Sequence, residues 1–137
     1  MHSQSAKDMH YQWEKTLEIL QQLDASGEFI GILDDILCGK AYINLVCEGT
    51  IGEYNSVLML LMDGAQLHLS KQSDCWIYIW ILVNLAPNKH YKVWNILPGG
   101  VIPGLDPPQD VDLFLFPGLA HVSALQHDGF PVWDAYY

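Results

Sequence analysis

Asp63 is the residue of this 137-residue chain best suited to do chemistry. It ends the apolar run Leu58-Met-Leu-Leu-Met62 and precedes Gly64, whose missing side chain leaves space for a ligand or metal to approach. A carboxylate at the centre of a strand is costly unless it is paired, hydrogen-bonded or bound to a cation. Magnesium and similar hard cations take such oxygen ligands, usually one or two carboxylates plus substrate phosphate and water. The Asp-Gly dipeptide is also a common hairpin turn, and composition alone favours that turn. Asp74, in Lys71-Gln-Ser-Asp-Cys75, would serve as a second metal ligand if the fold brings it beside Asp63. Ser and Asp in such a string otherwise serve turn hydrogen bonding.

The other reactive side chains form no constellation. His2, His10, His68, His90, His121 and His127 include no pair at the i, i+4 spacing of a helical metal site. His68 alternates with Leu67 and Leu69 and is expected on the solvent side, and His121 at the edge of a core. Cys38, Cys47 and Cys75 make no zinc pattern, and Cys75 reads as a buried, inert thiol without an activating base. Ser73 and Ser123 lack a nucleophile elbow. Gly99-Gly100 with Gly104 matches no phosphate-binding loop, and the prolines around it read as a rigid turn. Asp34-Asp35 reads as a solvated helix face, and Asp106, Asp110 and Asp112 as turn and cap residues.

Charge narrows the function classes. Six lysines, no arginine and sixteen acids give a net charge of −10. Without arginine no side chain offers the bidentate fork that suits phosphates and guanine edges. No lysine follows Lys92, while Asp106, Asp110, Asp112, Asp128 and Asp134 add negative charge. Such a surface repels nucleic acid and acidic membranes. The polar opening Met1–Tyr11 has no apolar signal core, and the longest apolar run, Cys75–Ala86, falls short of the roughly 20 residues a membrane helix needs. An intracellular protein with no membrane partner is expected.

The elements that must position these residues follow from periodicity. Trp13, Leu17 and Leu20 recur at helical spacing between Tyr11 and Leu23, and Asp24-Ala-Ser-Gly27 supplies a stop. Phe29, Ile32, Leu33, Ile36 and Leu37 predict a second helix, whose spacing Tyr42, Leu45 and Val46 continue towards Gly49. Strands are expected next: the run Ser56–Met62 with the alternating Ala65–Ser70, then Cys75–Leu85, then Tyr91–Leu97. Trp76, Tyr78, Trp80 and Trp94 are expected in the core or as cross-strand partners. Pro98-Gly-Gly, Pro103-Gly104 and Pro107-Pro108 predict a stretch without regular structure. Asp110 or Asp112 then caps a helix carrying Leu115, Leu119, Val122 and Leu125, which Gly129 ends. The outcome is an α+β chain, with N-terminal helices followed by a three-stranded antiparallel meander and a helix. That order is the first half of a ribonuclease H-like fold and is shared by many other α+β domains.

Specific strings add to this reading. Leu60-Leu-Met-Asp-Gly-Ala-Gln-Leu67 and Lys71-Gln-Ser-Asp-Cys-Trp-Ile-Tyr-Ile-Trp80 resemble the Tnp2 transposases of fungal CACTA-like DNA transposons. The resemblance continues through His90-Tyr-Lys92, Ile96-Leu-Pro-Gly-Gly-Val-Ile-Pro-Gly104, Phe114-Leu-Phe-Pro117 and His121-Val-Ser-Ala-Leu125, and covers roughly residues 30–137. It implies a ribonuclease H-like core whose acidic triad binds two Mg2+ or Mn2+ ions for phosphoryl transfer on DNA. Asp63 would be the first acidic ligand, against the turn that composition favours, with Asp74 as a candidate partner. The family's further acids would lie downstream of Trp133-Asp-Ala135, which makes the chain an N-terminal fragment of the catalytic domain.

The departures matter equally. The family usually carries a basic residue where His90 stands, and Lys where Gln109 follows Pro108; both changes remove charge that would meet DNA phosphates. DNA is thus the partner implied by resemblance and disfavoured by charge. The expected organisation is a helical lead-in over 1–52 and an incomplete ribonuclease H-like domain over 53–137, forming a single compact unit. Two functions remain open: a transposase-derived fragment inactive alone, nuclear if the family role is retained, or a non-catalytic interaction module that self-associates or pairs with another protein, an incomplete sheet leaving an edge and an apolar face to cover. A decayed transposon product without selected function is the third.

Overall fold

Helix α2 (Tyr11–Ser26) follows a short α1 (Ser3–Met9), and stops where Gly27 enters the left-handed region (φ 67°) and returns its N–H to the Leu23 carbonyl. The computed structural model describes residues 3–27, 34–66, 74–104 and 109–131. The face α2 buries is not the apolar stripe that spacing suggests. Gln12, Thr16 and Ile19 are buried, whereas Leu17 is exposed. Two polar residues take core positions because their hydrogen bonds are met inside: Gln12 Nε2 donates to the Tyr42 hydroxyl at 2.5 Å, and Thr16 Oγ1 lies 2.8 Å from the same oxygen.

The helix predicted over Phe29–Leu37 is interrupted at Asp34 and Asp35, which are not helical. Phe29, Ile32 and Leu33 lie outside the described residues, and Ile36–Cys38 forms a single 3-10 turn before α3 (Lys40–Cys47). Asp35 is the reason for the break. Its side chain accepts the Leu37 N–H at 3.2 Å and the Tyr11 hydroxyl at 2.6 Å, so it works as a cap instead of facing solvent in mid-helix. Ile19, Leu37, Cys38, Tyr42, Ile43 and Val83 make the core of this part.

Strands β1 (Leu58–Gln66), β2 (Asp74–Leu82) and β3 (Ile96–Pro103) form an antiparallel sheet in the order β1-β2-β3. The chain is therefore α+β, with a meander ahead of its last helix. The Val83 N–H donates to the Val57 carbonyl, the Cys75 thiol reaches the Ala65 carbonyl, and Gly64 lies against Trp76, which together fix the β1–β2 register. β2 is the central strand; Cys75, Tyr78 and Ile81 are buried and no residue from Cys75 to Leu85 is exposed.

Three local expectations are corrected. Asp63-Gly64 is not a turn, because β1 runs through it to Gln66. The strand expected over Tyr91–Leu97 starts only at Ile96: α4 (Pro87–His90) and a 3-10 turn at Val93–Asn95 come first, and Trp94 is exposed, with the Lys92 ammonium 6.0 Å from its ring centre. Pro98-Gly99-Gly100, expected to be irregular, lies inside β3. β3 is an edge strand of the described sheet, where a proline's missing N–H costs no ladder bond if it faces outward. The two glycines accommodate the ring of Tyr78. A Cβ at Gly100 would sit 2.6 Å from that ring, and one at Gly99 would collide with it outright.

Helix α5 (Val111–Asp128) is capped as expected. Asp110 accepts the Leu113 N–H at 3.1 Å, and Gly129 (φ 74°) returns its N–H to Leu125.

The chain divides into two compact units. One holds the helices up to Met59 together with Ile81–Asn95, and the other holds Leu60–Trp80 with Ile96–Trp133. Among the described residues no helix is long and apolar enough to cross a membrane.

Candidate functional site

Asp63 stands inside β1, and its carboxylate is exposed. Its Oδ1 accepts the N–H of the next residue, Gly64, at 2.8 Å. The indole of Trp76 borders Gly64, 3.6 Å from where a Cβ would be.

Asp74 opens β2, and its side chain lies outside the described residues. The β1–β2 register sets position 74 across from position 66, three residues along β1 from Asp63. The two candidates therefore do not occupy facing positions. Among the described residues no group of three His, Cys, Asp or Glu is arranged to hold a metal ion. Asp63 offers one exposed carboxylate, which does not make the set a two-metal centre needs.

The other candidates have structural partners. Asp34 accepts the Cys38 thiol at 3.4 Å, and burial together with that contact pushes the thiol above its usual pKa, away from nucleophilic character. Burial and the Asp35 hydrogen bond likewise push the Tyr11 phenol upward. Cys75 is buried, as expected of an inert thiol. His90 is buried, with Nε2 2.5 Å from the Leu85 carbonyl, so this ring locks a turn. His121 is exposed, not at a core edge. His68 and Asp106 lie outside the described residues. Asp112 is exposed in the first turn of α5.

The feature that spacing missed is on α5. Its half-buried residues Val111, Leu115, Gly118 and Val122 recur every three or four positions, and Gly118 faces the Tyr78 hydroxyl and the Trp80 ring. No residue of the helix is fully buried. Away from Gly118 it presents Leu113, 68% exposed, and Phe116, 69% exposed, leading into a shallow depression lined by Phe116, Leu119, Ala120, Ala124, His127 and Asp128. The signal was in the sequence. Leu113, Phe114, Leu115 and Phe116 leave Asp112 as the one polar residue of the first two turns, and so broad an apolar surface calls for more than one packing partner. No protein-family model, curated protein or solved structure matches this chain.

Proposed function

We propose that this chain is a transposase-derived module that works by binding another protein instead of cutting DNA. One observation carries the reading: α5 is apolar on two sides, and a large part of its apolar surface is open. A contiguous exposed apolar patch rimmed by polar residues marks an interaction surface. The kinship with Tnp2 transposases, and the ribonuclease H-like fold that goes with it, rests on the strings Leu60–Leu67 and Lys71–Trp80; an antiparallel meander ahead of a long helix is compatible with it. The net charge of −10 and the absence of arginine support the loss of a DNA-handling surface.

A second reading keeps the ancestral chemistry, because Asp63 is accessible and lies on a strand beside a glycine. On that reading Asp63, with Asp74, holds Mg2+ or Mn2+, DNA is the substrate and the location is nuclear. Calorimetric titration with MgCl2 and MnCl2, wild type against Asp63→Asn, separates the two. The exposed Asp63→Asn change leaves the fold intact. The contact reading predicts no binding, or equal binding by both proteins. Binding that Asp63→Asn abolishes would return the chain to phosphoryl-transfer chemistry.

A further inference from the structure

The open side of α5 has a shape and a charge that specify its occupant, given the reading that this chain works by contact. Leu113, Phe116, Ala120, Ser123 and His127 follow one another at alternating steps of three and four, the spacing by which one helix presents a seam to another. Leu113 and Phe116 supply bulk at one end. Ala120, Ser123 and Ala124 in the middle are small, so a second helix can approach the α5 backbone there. Asp112 stands at the start of this face and Asp128 at its end, both exposed. α5 carries no lysine, and no lysine follows Lys92 in the chain.

We propose that this face binds an amphipathic helix whose apolar stripe fills the seam and whose flanks carry lysine or arginine. A second copy of this chain is the poorer fit. It would bring a further charge of −10 against the first and place Asp112 and Asp128 near like charges. A cationic flank instead meets both aspartates.

The experiment uses the full chain and three synthetic helical peptides of one length. The first has a leucine stripe flanked by lysines, the second the same stripe flanked by glutamates, and the third the lysine composition in scrambled order. Binding is read by fluorescence anisotropy, with sedimentation equilibrium of the chain alone. The lysine-flanked peptide is expected to bind at least about tenfold more tightly than the other two, and Phe116→Ser to weaken it by about tenfold. Asp112→Asn with Asp128→Asn is expected to weaken it and to flatten its salt dependence. Phe116 is exposed, so its replacement tests the face without unfolding the chain. Binding unchanged in Phe116→Ser would show mere attraction to an acidic protein and overturn the proposal. A dimer that Phe116→Ser dissociates, with no peptide preference, would also overturn it while leaving the contact reading standing. Metal binding that depends on Asp63 would instead sink the contact reading itself.

Discussion

The Tyr78 hydroxyl lies 3.4 Å from the position a Cβ would take at Gly118. One side chain of the central strand therefore touches α5, while its ring covers Gly99 and Gly100 of β3. This contact sets the rotation of α5 about its own axis. With Gly118 turned towards Tyr78, Leu113 and Phe116 are turned away from it.

Gly99→Ala is expected to destabilise the chain by about 1–3 kcal/mol, because the added methyl meets the Tyr78 ring and one of them must move. Tyr78→Ala removes the obstacle at its own cost in packing. Urea denaturation of the two single variants and the double variant checks the coupling: the double variant should lose less than the sum of the singles.

The hydrogen bonds at the end of the β1–β2 ladder predict a second loss. Asn84 Oδ1 accepts the Val57 N–H at 2.8 Å, and its Nδ2 donates to Gln12 Oε1 and to the Asn55 carbonyl, each at 3.0 Å. Asn84→Ala orphans these buried groups and should cost about 1–3 kcal/mol for each one that water does not reach. Tyr42→Phe leaves Gln12 Nε2 and Thr16 Oγ1 without their shared partner and should cost less, since Thr16 still donates to the Gln12 carbonyl at 2.7 Å. Thermal unfolding of both variants tests the order.

Alkaline pH should unfold the chain through Tyr11. Its phenol is held protonated by burial and by donation to Asp35 Oδ2 at 2.6 Å, so its folded pKa lies above the usual value of about 10. A raised folded pKa gives stability that is full below the unfolded pKa and is lost as pH rises towards the folded one. Stability should therefore fall above about pH 10 in the wild type, through the tyrosine's ionisation in the unfolded state. Cys38, also raised, adds to the loss from about pH 9 upward. Tyr11→Phe should be weaker at neutral pH yet show a shallower alkaline decline, measured by urea midpoints across pH 7 to 11.

Pro117 lies inside α5, where it offers no N–H to the preceding turn. Pro117→Ala should raise the melting temperature and the helical circular dichroism, with up to about 3 kcal/mol available from propensity.

What was legible in the sequence is what local chemistry decides. Asp110 and Gly129 bound α5, and Gly27 ends α2, because capping needs only neighbouring backbone. The dense β-formers of Cys75–Leu85 announced the central strand, which ends at Leu82. Tertiary partners overrode local signals elsewhere. Pro98-Gly99-Gly100 reads as a turn until the Tyr78 ring is laid across it. Gln12 and Thr16 are buried on α2 because Tyr42 and Asn84 bond to them, partners that lie far along the chain. Asp63 was recognisable as an unusual carboxylate, but its exposure and the Trp76 indole beside Gly64 depend on strand pairing that composition does not encode.

The central claim is that this chain works through the open side of α5. Backbone amide chemical shifts, followed by NMR as the lysine-flanked helical peptide is added to the full chain, test it most directly. Saturable shifts centred on Leu113, Phe116, Ala120, Ala124 and His127 are expected, with Asp63 and Gly64 unmoved. Shifts absent from α5, or centred on Asp63, would contradict it.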